Sequence, residues 1–347
     1  MSLEEEKMLF AQHLSLMIKG GVSLTEAIST LRREVKSGKF KKAIEDILKR
    51  VLAGEKLGNS LASHPRIFDK FYQNIVRVGE ESGTLEENLK YLAQKLQRDI
   101  ETGKKMRSAL VYPAIIVSLA VVIVFIVTFF VLPKITALFQ SLQIPLPFTT
   151  RLLIDSISFL KSYWLAGTAA LVVLILAVRL TARLKATRIF WDKLSLGLPV
   201  LGRVFKNFNL AFFSRNFYTL LKSGIPLLDA LTILAETAPS AVYARDLEKI
   251  RLRVERGEKI SEGLKAFDDK FPPVFSEMVL VGERSGTLEE SFAYLSDYHE
   301  KETDQVLKNL SNLIEPVLMI LIGVFVGFVA VAIITPVYQF TGQLRFR

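Results

Sequence analysis

The feature that most limits what this chain can fold into is that it is written twice. Residues 79–87 read Gly-Glu-Glu-Ser-Gly-Thr-Leu-Glu-Glu, and residues 282–290 read the same except that Arg284 stands where Glu81 does. The shift of 203 residues that carries Gly79 onto Gly282 also carries Gly21 onto Gly224, Leu24 onto Leu227, Ala27 onto Ala230, and Gly54-Glu55-Lys56 onto Gly257-Glu258-Lys259. It continues forward through Tyr91-Leu92 and Tyr294-Leu295, Pro113 and Pro316, and Pro133 and Pro336, without an insertion. A gapless register of this length marks the duplication of a whole folding unit. Two copies are too few for a solenoid, so the expectation is two homologous domains.

Neither copy ends as a soluble domain would. Ser108 to Pro133 is 26 residues without a charge, and Pro316 to Leu344 is also free of charge. About 20 apolar residues cross a bilayer as a helix, so each copy is expected to run into a membrane span. Ser162 to Val178, 17 uncharged residues with Tyr163 and Trp164 at one end, is a shorter third candidate. Topology requires it, because a second crossing must return the second domain to the side of the first. Half of the 347 residues are apolar, and the mean hydropathy is +0.32, both high for a soluble protein.

Basic residues near the spans set their direction. Lys95, Arg98, Lys104, Lys105 and Arg107 precede the first span, and Arg179, Arg183, Lys185, Arg188 and Lys193 follow the middle one. Both sides are expected to be cytoplasmic, with the N-terminus inside and, by parity, the C-terminus outside. The predicted layout is therefore a cytoplasmic repeat over 1–107, a span over 108–133, an external connection over 134–161 and a span over 162–178. A cytoplasmic linker over 179–200, a second repeat over 201–315, a span over 316–340 and an external tail over 341–347 follow. The acidic N-terminus, Met-Ser-Leu-Glu-Glu-Glu, lacks an apolar signal core, so no cleaved signal peptide is expected. The net charge of +10 is read as topology-setting and as contact with lipid headgroups, not as direct contact with nucleic acid.

Between the spans the apolar periodicity is helical. Leu9, Phe10, Leu14, Met17 and Ile18 recur on one face up to Gly20 and Gly21, and Ser23 with Glu26 forms a capping-box pattern for the next helix. Phe40 to Ala53 is amphipathic and closed by Gly54, Phe68 to Val78 makes another helix, and Thr84 opens a long one. About six helices per repeat give an all-α membrane protein of two helical bundles and three transmembrane helices.

The twice-written segment then falls at a helix corner. Gly79 and Gly83, and in the second copy Gly282 and Gly286, are read as a helix stop and a turn. Thr84 with Glu87, and Thr287 with Glu290, are read as capping boxes. Glu80 and Glu283 have no capping role in this reading and become candidates for contact with a partner; Arg284, opposite in charge to Glu81, adds a third. In the third span Gly323 and Gly327 lie four apart on one helix face, as in helix pairs that associate in lipid, and are candidates for an oligomer interface.

Enzymatic chemistry finds no footing. There is no cysteine, and the three histidines, His13, His64 and His299, share no motif and are read as satisfied or solvent-facing. No Gly-x-x-x-x-Gly-Lys-Ser/Thr loop is present to cradle nucleotide phosphates, and no spacing of His and carboxylates reads as a metal site. No cofactor is expected. A polytopic transporter or channel is the alternative, weakened because all three spans lack the ionisable residues that usually mark a conduction path.

The pattern Val-Gly-Glu-x-Ser-Gly-Thr-Leu at Val78 and Val281 recurs beside Gly-Val/Ile-x-Leu segments at Gly21 and Gly224 and the linker from Leu194 to Val204. With Leu-Pro-Phe-Thr-Thr-Arg-Leu-Leu in the outer connection and Glu315-Pro316 at the last span, the chain resembles the inner-membrane platform family of type II secretion systems and type IV pili. The resemblance implies a non-enzymatic scaffold in the bacterial inner membrane. It further implies a homo-oligomer that couples a cytoplasmic hexameric ATPase to insertion or extraction of pilin or pseudopilin subunits, beside other inner-membrane assembly proteins and lipid.

Overall fold

The computed structural model describes residues 2–35, 38–131, 185–197 and 201–344, with a few residues at 133–134 and within 162–181. The first copy forms α1 (Leu3–Lys19), α2 (Leu24–Glu34), α3 (Gly38–Leu52), α4 (Leu57–Ala62), α5 (Lys70–Ser82) and α6 (Leu85–Ile126). After α7 (Lys185–Gly197) the second copy forms α8 (Leu201–Lys222), α9 (Leu227–Thr237), α10 (Ala241–Glu255), α11 (Ile260–Lys265), α12 (Pro273–Ser285) and α13 (Leu288–Leu344). Among the described residues there is no strand, and each copy supplies six helices, as expected. From α2 to the start of α6, every boundary reappears in the second copy at the shift that relates Gly79 to Gly282.

Local chemistry explains the boundaries. Ser2 and Glu5 close a reciprocal capping box at the start of α1, and Ser23 accepts the Glu26 N–H at 3.4 Å to open α2. Gly21, Gly54 and Gly83, with their duplicates Gly224, Gly257 and Gly286, all have φ between +73° and +90°. This left-handed backbone is unstrained only for glycine, and it ends three helices in each copy at the same places. One expectation fails here: α5 runs through Gly79 to Ser82, so Gly79 is not a helix stop.

Each bundle closes on an aromatic cluster. In the first copy Phe10 packs edge-on against Phe40 at 6.0 Å, with Phe68 5.8 Å from Phe40 and 4.9 Å from Tyr72. The duplicated positions hold Phe213, Tyr243, Phe271 and Phe275, with Phe271 5.6 Å from Phe213 and 5.7 Å from Tyr243. Phe217 and Phe292 replace Leu14 and Leu89 and fill out the second core. His299 sits under this cluster, its ring 5.6 Å from Phe275 and its Nδ1 3.2 Å from Asn207 Oδ1. Burial pushes its pKa down to about 4.

Residues 1–105 and 188–306, which include both bundles, form one compact unit. α5 of the first copy packs on α9 of the second. Buried Asn88, at the start of α6, donates to the carbonyls of Ile75 in its own copy and Ser223 in the other, at 3.2 and 3.3 Å. Beyond it lies a run of charges of alternating sign. Lys95 contacts Asp99 at 2.8 Å, Arg215 contacts Asp99 at 2.7 Å and Glu300 at 2.8 Å, and the Arg215 side chain is 5% exposed. Two cations thus balance two carboxylates where water is scarce, and the guanidinium's directed N–H groups bridge α8, α6 and α13. Arg98 to Asp297 at 3.2 Å and Lys105 to Asp304 at 2.5 Å continue the contact two turns further, so α6 and α13 run side by side in the same direction.

Residues 106–187 and 307–347 form the other unit. Its described part contains the end of α6, five residues of π-helix (Val127–Val131), and the end of α13. Val117, Ala120, Val121 and Ile123 face Leu318, Leu321, Ile322 and Phe325 across an apolar groove of about 330 Å³. Among the described residues no helix is long and apolar enough to cross a membrane. The external connection expected over 134–161 and most of the middle span expected over 162–178 fall outside the described residues.

The charge run makes the two copies unequal, and this is measurable. Arg215→Ala leaves two carboxylates without their shared cation and is expected to cost about 3 kcal/mol of stability. Gln12→Ala, at the duplicated position in the first copy, is exposed and is expected to stay within about 0.5 kcal/mol. Thermal unfolding in detergent compares the two directly.

Candidate functional site

The twice-written corner joins α5 to α6 and α12 to α13. Its last glycine is the turn: Gly83 (φ 74°, ψ 12°) and Gly286 (φ 73°, ψ 16°) take the left-handed cap. Its first glycine serves close approach. A Cβ on Gly79 would lie 2.9 Å from Asn88 Cβ and 3.0 Å from Leu85 Cα, and one on Gly282 would lie 2.3 Å from Ser291 Oγ. The first turn of the following helix therefore rests on the glycine's bare backbone. Ser82 donates back to the Val78 carbonyl at 2.7 Å, and Ser285 to the Val281 carbonyl at 2.9 Å.

The threonines do not cap as expected. Thr84 Oγ1 lies 2.6 Å from Ser82 Oγ, and Thr287 Oγ1 2.6 Å from Ser285 Oγ. Among the described residues, neither threonine side chain accepts from the N–H of Glu87 or Glu290. The hydroxyl pair across the left-handed glycine takes the place of the capping box, and Glu87 and Glu290 stand exposed.

The acidic residue thought free of capping is the one that caps. Glu80 accepts the N–H groups of Leu57 at 2.8 Å and Gly58 at 3.1 Å, the first two of α4. Glu283 accepts those of Ile260 at 2.9 Å and Ser261 at 3.5 Å, and the Ser261 hydroxyl at 2.6 Å. The residues before α4 and α11 are Lys56 and Lys259, which make no side-chain cap bond. A lysine has no acceptor, so the short helix takes its cap from a carboxylate far along the chain, where the helix dipole also favours a negative charge. Glu80 and Glu283 are both partly buried, with their oxygens directed inward.

What remains exposed at the corner differs between copies. Glu81 lies 3.8 Å from Lys56, whereas Arg284 shares its sign with Lys259, the duplicate of Lys56. In the first copy Asn88 rests on Gly79 and also bonds the Ser223 carbonyl of the second copy; its duplicate, Ser291, rests on Gly282. The contacts between the copies that the sequence reading missed are those of Asn88, Lys95, Asp99 and Arg215, none of which has an identical residue at the duplicated position. Gly323 and Gly327 are exposed on α13, with no described atom within 4 Å of where a Cβ would stand.

The histidines do not converge. His64 Nε2 is 2.9 Å from Asp46 in a loop of the first copy, His13 Nδ1 is 3.6 Å from Glu34, and His299 is enclosed in the second core. Among the described residues no three His, Asp or Glu side chains stand together as metal ligands. What the described residues form at the two corners is a set of left-handed turns and helix caps.

Comparison with known proteins follows the same geometry. The family described as Type II secretion system (T2SS), protein F matches at residues 10–133 and again at 213–336, the two ranges related by the internal shift. The chain belongs to this family. It is 31% identical over 336 residues to a type IV pilus assembly protein PilC of Thermus thermophilus, covering 97% of this chain and 82% of that protein. It is 30% identical to a type 4 fimbrial assembly protein PilC of Pseudomonas putida, over 95% of this chain and 82% of that one. A type II secretion system protein F of Aeromonas hydrophila is 28% identical over 98% of this chain and 87% of its own length.

The capping assignment predicts a reversal within the acidic motif. Glu80→Ala frees two N–H groups of α4 and is expected to lower stability by about 1–2 kcal/mol. Glu87→Ala, exposed and unbonded to the corner, is expected to change it by no more than about 0.5 kcal/mol. Denaturant melts of the two variants check the ranking.

Proposed function

We propose that the chain is a non-enzymatic platform of a type IV pilus or type II secretion machine in the bacterial inner membrane. The observation that carries this reading is similarity along nearly the whole chain, both copies and the segment between them, to proteins named for those assemblies. In this reading the bundles of 1–107 and 201–315 are cytoplasmic, the spans are 108–133, 162–178 and 316–340, the N-terminus is inside and the C-terminus outside.

Physical features support the placement. Large apolar side chains stand exposed on both long helices, among them Ile115, Val121, Phe125, Met319, Ile320 and Val324, a pattern that water disfavours and lipid accepts. The basic residues flanking the first and middle spans belong on the cytoplasmic side. Chain economy supports the partners: with no phosphate-cradling loop in the sequence, the energy of ATP enters through a cytoplasmic hexameric ATPase. Pilin or pseudopilin helices are inserted or withdrawn beside the spans, and other inner-membrane assembly proteins and lipid surround them. Nucleic acid is not contacted directly. Because Glu80 and Glu283 are engaged inside, the corner meets a partner through its exposed side chains, Arg284 and Glu290 foremost, while the two carboxylates hold the corner in shape. Gly323 and Gly327 keep a smooth helix face for association in the membrane.

The test is recovery of the tagged full-length chain from detergent-solubilised membranes of its own host. A filament ATPase and pilin-like subunits are expected with it, and the purified chain alone is expected to hydrolyse no ATP. Ion or solute movement through vesicles containing this chain alone would overturn the platform reading in favour of a transporter.

A further inference from the structure

The two bundles dock head to tail, and a duplicated fold that docks this way leaves two faces uncovered. The second copy contributes a face of α8 and α13, on which Arg215 is 4% and Thr219 3% exposed. The first contributes a different face, of α5 and α6, on which Phe71 is 2% and Lys95 8% exposed. Since each copy has both faces, each keeps one open. On the first copy Gln12 and Leu16 occupy the positions of Arg215 and Thr219, and Leu16 is 59% exposed. They line a groove of about 320 Å³ with Met8, Lys90 and Gln94. On the second copy Val274 and Tyr298 occupy the positions of Phe71 and Lys95 and are 67% and 44% exposed, with Tyr294 beside them.

We infer that these two open faces bind each other between copies of this chain, so that the second bundle of one molecule docks on the first bundle of the next as the two bundles dock within a molecule. The occupant follows from the duplication, because inside the chain the counterpart of each open face is covered by the counterpart of the other. A contact between unlike faces does not close on itself after two molecules; it builds a ring or a line. This inference stands on the fold and is independent of the platform reading.

The chemistry of the open pair is complementary but weaker than that of the internal one. Where the internal contact sets Arg215 against Asp99, the open faces set the amide of Gln12 against Glu302, a hydrogen bond without the second charge. Lys90, beside Leu16 in the groove, is opposite in charge to Glu302 on the other face, and Tyr294 and Tyr298 bring flat, amphipathic area to the exposed Leu16. The external docking is therefore expected to be the weaker of the two.

The chain has no cysteine, so introduced thiols report cleanly. Arg98 and Asp297, 3.2 Å apart across the internal contact, have Lys301 and Gln94 as their duplicates, both exposed. Full-length Gln94→Cys and Lys301→Cys proteins, mixed in one membrane preparation and treated with a short bis-maleimide, are expected to give a cross-linked pair containing one of each. Neither protein alone is expected to give it. Adding Leu16→Asp to the first protein, or Tyr298→Asp to the second, is expected to abolish the product while leaving the melting temperature unchanged. Either like-with-like cross-linking at the level of the mixture or a mixed product that persists in both Asp variants would overturn the inference.

Discussion

One buried cation decides how this molecule is put together. Arg215 is held between Asp99 of the first copy and Glu300 of the second, and Lys95 completes the charge balance from the other side. Taking a guanidinium out of water is costly, and that cost is offset only when its N–H groups meet carboxylates in good geometry. The contact therefore favours the pairing of faces that brings both carboxylates to Arg215 over any pairing that would leave it buried without them. The parallel course of α6 and α13, with Arg98 on Asp297 and Lys105 on Asp304, follows from that choice.

The motif that advertises the duplication turns out to be a set of small structural solutions. Gly79 lets a helix start against the backbone of the previous one, Gly83 reverses the chain, and Ser82 with Thr84 fastens the reversal. Glu80 reaches back to cap a helix preceded by Lys56, whose side chain has no acceptor. Glu81 and Arg284 hold the one position of the nine that differs between the copies. Most of the motif is thus accounted for by folding.

The sequence made the all-helical class, the six helices of each copy and the family legible, because apolar periodicity, left-handed glycines and the gapless repeat are local signals. It did not disclose the role of Glu80, since the N–H groups it serves lie 23 and 22 residues away and only tertiary packing brings them together. A clue was present: a lysine before a short helix, in both copies, calls for an acceptor from elsewhere. The helix stop placed at Gly79 failed because a glycine inside a helix and a glycine ending one look alike until the next helix is seen to press on it. The contact between the copies was hidden for the opposite reason. A comparison that searches for identity passes over Arg215 and Gln12, or Lys95 and Tyr298, yet the differences between duplicated positions are what mark a contact made once.

The central claim is that two bundles of one design bury opposite faces. Thiol labelling of four single variants in dilute detergent tests it: Leu16→Cys with its duplicate Thr219→Cys, and Tyr298→Cys with its duplicate Lys95→Cys. The account predicts rapid labelling at 16 and 298, and labelling at 219 and 95 at least about tenfold slower, because access there requires the bundles to part. Equal rates within each duplicated pair would contradict it, showing that the two copies stand apart as independent domains.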